Sequence, residues 1–343
     1  MKNYFISMLM LVAIFCNHNV HGANVSWNNV AGGIWSVGAN WSNGSGPGAN
    51  DTAVISLNGT YTVTMDMNVN CQKLVLGGNS GTQTLSASSY SLTIGKGATI
   101  NPKGLLYLYG CTVTGNQAMI NNGQVQLSYN NTFNINLINN DTIEVWHYSN
   151  YINQNYTAPS GSVILFNCKN YTSTLAFGSG FNNSGKILFS STTGYNASLT
   201  ITTGTLNNTA SGVIEASGIY NLSYTISGIV TNAGNINVNN NLSFTSSSNL
   251  TNTGTITIAN GYILSITNST YTHTSGNVNG TGKFYFEGST ANFNVANMPG
   301  KYLEFYTTVI NSTFLPITNA KKIRLIYGNT INCALFNTDT ILI

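Results

Sequence analysis

The chain has 343 residues, a formal net charge of +3 and only 6% Asp, Glu, Lys and Arg, where an ordinary globular domain has about 25%. Its cations are dilute, with Arg324 the single arginine, which excludes the clustered basic face of a nucleic-acid binder. A hydrophobic share of 42% excludes low-complexity disorder, and 54 Asn with 76 Ser plus Thr take the polar positions that charges usually hold.

Residues 1–22 read as a signal peptide. Lys2 supplies the positive start, Tyr4 to Cys16 an apolar core, and Val20-His21-Gly22 the approach to a cut. The core is too short to cross a bilayer, and no later stretch holds about 18 uninterrupted apolar residues. An exported chain without a transmembrane segment is expected. Removal of the leader leaves Cys71, Cys111, Cys168 and Cys333. They permit two disulfides in three pairings or serve as buried small hydrophobes. No C-x-x-C is present, which argues against zinc.

Residues 23–57 read as a capping module. They carry Trp27, Trp35 and Trp41, punctuated by Gly32-Gly33, Gly44 and Gly46-Pro47-Gly48. A repeat rod leaves an apolar cross-section open at its first turn, and bulky rings folded over it would close that end. The competing reading is a sugar-stacking platform, since Trp has a flat apolar face and a polar edge.

From residue 58 to residue 343 one phrase recurs. Glycine or aspartate opens a short run with apolar residues at every second position, as in Gly104-Leu105-Leu106-Tyr107-Leu108 and Asp141-Thr142-Ile143-Glu144-Val145. Gly212, Gly234, Gly254 and Gly276 lie 22, 20 and 22 residues apart. Lys322-Ile323-Arg324-Leu325-Ile326 reads as the last member. A strand-bearing period of about 20–25 residues predicts a parallel β-solenoid, right-handed as parallel crossovers are. Glycine at the first position is expected to supply positive φ, and the wider gaps Gly161 to Gly185 and Gly185 to Gly212 are expected to bulge outward.

The opening of this stretch carries a resemblance. Gly33-Ile34-Trp35, Asn40-Trp41-Ser42, Gly46-Pro47 and Asp51-Thr52-Ala53-Val54-Ile55 resemble the entry module of large β-helical surface proteins, of which autotransporter passenger domains and adhesin-like proteins are examples. Leu76-Gly77-Gly78-Asn79-Ser80-Gly81-Thr82-Gln83-Thr84-Leu85, running into Ser91-Leu92-Thr93-Ile94, is similar to their next turns. The resemblance spans roughly residues 31–100 and implies a β-helical surface protein; the scaffold itself carries many functions.

Few residues suggest chemistry. Eight carboxylates run from Asp51 to Asp339 without an Asp-Asp pair, whereas a glycosidase needs two facing carboxylates. Asp141 and Glu144 read as solvated turn and rim residues. His147 and His273, the latter placed in a turn, have no Cys or second His nearby, so neither a triad nor a metal site is expected. Trp146, Tyr148, Tyr151 and Tyr156 form an aromatic strip that either contacts carbohydrate or packs a loop onto the rod. Eighteen Asn-x-Ser/Thr sequons, among them Asn40, Asn155 and Asn241, exceed roughly a dozen expected by composition and permit a glycoprotein.

These readings converge on an all-β, right-handed parallel β-helix with an aromatic N-terminal cap, secreted or displayed on the cell surface. Its expected role is structural or adhesive and non-catalytic, through multivalent contact with extracellular polysaccharide or surface glycan. The alternatives are a polysaccharide lyase or glycoside hydrolase on the same scaffold, or a fibre-like receptor-binding protein. No cofactor is expected.

Overall fold

Tyr61–Met65 buries Tyr61, Val63 and Met65 and exposes Thr62 and Thr64. Most later strands repeat this alternation, which sends one side chain in two toward the core. A one-residue slip would expose the whole apolar set, so register is tightly held. The computed structural model describes residues 22–314, 316–319 and 322–343, and the leader expected over residues 1–22 lies outside these apart from Gly22. Strands make up 59% of the chain, with no α-helix among the described residues.

The strands pair in parallel and wind into a β-solenoid of about 14 turns, with three faces. The first face begins at Asn24–Ser26 and Thr52–Ile55 and runs through Tyr156–Thr157. A bridge from Ala158 to Asn183 carries it on toward Thr330–Asn332. The second face runs from Gly33–Ile34 to Asn277–Gly280. The third runs from Val69–Cys71 to Ile341–Leu342. The solenoid therefore continues past Lys322–Ile326, which sequence made the last turn.

Inward residues stack in columns. On the second face Val63, Leu85, Leu106 and Val125 lead in register to Ile214, Ile236 and Ile256, all at 0% exposure. The first face changes chemistry along its length. Ile55, Leu76 and Ile100 give way in the same column to Asn121 and Asn139, then to Asn183, Asn208, Asn232 and Asn252. Each amide Nδ2 donates to the next Oδ1: Asn183 to Asn208 at 2.8 Å, Asn208 to Asn232 and Asn232 to Asn252 at 2.7 Å. The remaining Nδ2 protons reach backbone carbonyls, as Asn208 does at Gly212 and Asn235. A buried amide is tolerable only when paired in this way.

His273 takes the next place in that column, opposite Asn252, and is buried instead of lying in a turn. Its Nδ1 lies 2.9 Å from Tyr271 Oη and 3.3 Å from Asn252 Nδ2. Both neighbours can donate, which favours the neutral ring. Burial lowers its pKa to about 4, against about 6.5 in the unfolded chain. The unfolded state therefore binds more protons between these values, so this contribution is complete above pH 6.5 and is lost as pH falls toward 4. His273→Asn, which restores the column residue, should flatten the acid side of the stability curve in denaturant titrations; an unchanged pH dependence would refute the assignment.

The rung-opening glycines divide: Gly161 and Gly276 hold the expected positive φ, while others answer to close approach. Gly212, Gly234 and Gly254 lack positive φ, but a Cβ on Gly234 or Gly254 would strike the Gly212 or Gly234 carbonyl oxygen one turn back.

The capping module is itself the first turn, since its strands open the first two faces. Trp27, Trp35 and Trp41 are 1%, 4% and 2% exposed, with Trp41 edge-on to both partners at 5.0 and 4.7 Å. Trp27 Nε1 donates to Asn29 O and Trp41 Nε1 to Trp35 O, so these two indole donors stay paired on burial. An antiparallel bridge from Trp27 to Trp41, with Ser42 N donating to Ser26 O, also covers the free edge of the first strand. Buried to this degree, the rings pack on one another at the N-terminal end of the rod, as a cap does.

Of the two readings of Cys71, Cys111, Cys168 and Cys333, disulfides are not formed. All four are free thiols, the first three buried at different places in the stack. Burial pushes the Cys71 thiol up to about 12, which keeps it an unreactive hydrophobe.

Candidate functional site

Thr142–Ile152 crosses the corner between the second and third faces without a break. Against Gln124–Ser128 its register slips by one: Leu127 faces Val145, but Ser128 faces His147. Trp146 is the extra residue, and such a bulge re-aims a side chain. Its indole lies 5.9 Å from the Tyr107 ring, with Lys169 Nζ 5.4 Å from its centroid, a cation–π arrangement. Trp146 Nε1 and His147 Nε2 have no hydrogen-bond partner among the described residues. His147 Nδ1 is 2.8 Å from Ser128 Oγ, and burial, then the nearby Lys169 charge, lowers its pKa.

Along the same corner tyrosines recur on successive turns. Tyr109 stacks on Tyr129 at 4.9 Å with the planes 5° apart. Tyr129 meets Tyr148 edge-on at 4.9 Å, Tyr148 stacks on Tyr171 at 4.8 Å, and Tyr195 follows at 6.4 Å. All five are exposed. The first three steps match the ladder spacing of about 4.8 Å between parallel strands. Tyr129 and Tyr148 hold φ of 63° and 51°, a left-handed conformation that costs a bulky residue about 1–3 kcal/mol and persists only where surroundings enforce it.

Buried asparagines enforce it. Asn131, two residues after Tyr129, donates through Nδ2 to Ser128 O, Leu108 O and Asn150 Oδ1. Asn150, two residues after Tyr148, donates to His147 O at 3.0 Å. These amides tie each corner to its neighbour. The extra length of the wide turns lies partly here, in residues 167–172 and 192–196, and carries Tyr171 and Tyr195 outward.

Glu144 borders the strip. It is 7% exposed, not a solvated rim residue, and three amides hold it: Gln124 and Gln126 on Oε2 at 2.9 and 2.8 Å, Asn167 on Oε1 at 2.8 Å. Elsewhere Glu215 pairs with Lys186 at 3.0 Å and Glu304 with Lys283 and Arg324. Among the described residues no group of three or more His, Cys, Asp and Glu could hold a metal.

Of the four aromatic residues singled out by sequence, the corner brings Trp146 and Tyr148 together. Tyr151 is exposed on the third face, outside the ring stack. Tyr156 is a correction: it is 6% exposed, packed on Phe177 and Phe181 at 4.8 and 4.9 Å, because it lies on the inward side of the next first-face strand. Sequence missed Tyr109, Tyr129, Tyr171 and Tyr195. The signal was there, in steps of 20, 19, 23 and 24 residues from Tyr109 through Tyr195.

Fold and site together define a parallel β-solenoid with an external aromatic ladder. No protein-family model matches the chain, and neither a curated protein nor a solved structure matches it.

Proposed function

We propose that this is a secreted or cell-surface adhesive protein of the β-helical, adhesin-like kind, which holds neutral polysaccharide or surface glycan along its tyrosine ladder without cleaving it. The observation that carries the reading is the run of five exposed tyrosines on consecutive turns. Exposed aromatic rings on a rigid scaffold are a sink of contact area at low entropic cost, and a phenol both donates and accepts hydrogen bonds. One ring binds a sugar weakly; five on one line let a polymer engage several at once, and avidity multiplies weak affinities. Trp146 and the Lys169 head beside it extend the strip sideways. Both oxygens of Glu144, the acid bordering the ladder, are held by amides, and two-carboxylate hydrolysis requires a second carboxylate within about 5–10 Å.

Co-sedimentation with insoluble cellulose, chitin, xylan and microbial wall polymer tests this. The double variant Tyr129→Ala/Tyr171→Ala should lose retention by at least about tenfold through lost avidity while keeping its melting temperature within a few degrees. Equal retention by wild type and variant would remove the ladder from the function. Release of reducing ends or unsaturated products, abolished by Glu144→Gln, would replace adhesion with catalysis.

A further inference from the structure

The second face ends in a gap. Its strands from Tyr61–Met65 to Thr255–Ile258 all hold at least two fully buried residues, but Asn277–Gly280 has none. Val278, in register with the fully buried Ile256, is only half-buried. One turn later the chain should lay a parallel strand beside it. Residues 295–301 pair forward instead: Asn297 bridges Thr318, Met298 N donates to Thr318 O, and Thr318 N donates to Ala296 O, both at 2.9 Å. Among the described residues no backbone hydrogen bond joins 295–301 to Asn277–Gly280. Pro299 has no N–H to give such a ladder.

The groups left over can be named. Asn277 N donates back to Gly254 O at 3.0 Å. In a parallel strand, successive residues direct their N–H and C=O to opposite sides. The N–H and C=O of Val278 and the N–H of Gly280 therefore face the gap. The gap is a cleft of about 630 Å³ bounded by Val278, Gly280, Val295, Met298, Pro299 and His273. Its size suits a short ligand. Its walls offer strand-spaced backbone donors and acceptors over a small aliphatic floor, with Lys301 the single charged side chain in its lining. An anion or cation finds no paired charges there. A peptide backbone finds its complement.

We propose that this cleft binds an extended peptide segment of a partner protein, which adds a parallel strand to the edge of Asn277–Gly280 and seats one apolar side chain on Val278. Strand addition of this kind draws affinity from main-chain hydrogen bonds and selectivity from alternate side chains. The preceding turn shows the preferred pattern, since Ile256 and Ile258 are the inward residues there.

The probe is a fluorescein-labelled, end-blocked pentapeptide copied from residues 255–259, read by anisotropy against the full chain. Saturable binding is expected, weakened at least about tenfold when alternate peptide amides are N-methylated, and lost in Val278→Asp. Hydrogen exchange on the wild type keeps the test independent of that variant's folding: bound peptide should slow exchange at the Val278 and Gly280 amides. Tyr129→Ala/Tyr171→Ala should bind the peptide normally, whatever becomes of polymer retention. No saturable binding up to about 1 mM, or binding indifferent to N-methylation, would overturn the proposal.

Discussion

Replacing both Trp35 and Trp41 with alanine should unfold the N-terminal end of the rod and lower the melting temperature more than any surface change. The two rings are 4% and 2% exposed and in contact at 4.7 Å, and Trp→Ala in a packed site costs about 3–5 kcal/mol. The loss extends beyond contact area. Trp41 also anchors the segment that covers the free edge of Asn24–Ser26, so the variant exposes an unpaired parallel edge, a template for aggregation. Scanning calorimetry with light scattering would register both. A double variant that melts like wild type but no longer sediments with polymer would show that the rings face a ligand instead.

Asn232→Ala should destabilise the middle of the solenoid by about 2–4 kcal/mol, since a buried group left without its partner costs about 1–3 kcal/mol. Asn232 receives from Asn208 and gives to Asn252, both at 2.7 Å; alanine leaves an orphan on each side. Asn239→Ala, at an exposed position, is the control and should stay within about 0.5 kcal/mol. Because the column is one network, Asn232→Ala with Asn252→Ala should cost less than the sum of the single changes. Equal losses at Asn232 and Asn239, or strict additivity along the column, would mean that the buried ladder contributes nothing beyond packing.

The β-solenoid and the tryptophan cluster at its N-terminal end were legible in the amino-acid order alone. Alternating apolar residues declare a buried face locally, and a glycine every 20–22 residues repeats that declaration once per turn, so no long-range information is needed to see the rod. It also marked Trp146 and Tyr148. What it could not settle is which residues share a column, because that depends on how many residues each turn spends at each corner. A turn lengthened by a few residues leaves the strands in register yet changes which sequence positions stand above one another. That is why Tyr109, Tyr129, Tyr171 and Tyr195 form one line with Tyr148 while Tyr156, close to it in sequence, lies in the core. The same uncertainty hid the buried asparagine column, since Asn stands at outward and inward positions alike, as Asn207 and Asn208 do, and only the register says which ones face inward. It made Glu144 look like a rim residue, although Gln124, Gln126 and Asn167, arriving from the turns on either side, enclose it. And it concealed the gap beside Asn277–Gly280: the strand pattern of residues 277–280 is ordinary when read alone, and only the absence of a neighbour on the following turn, where Pro299 interrupts the ladder, leaves that edge open.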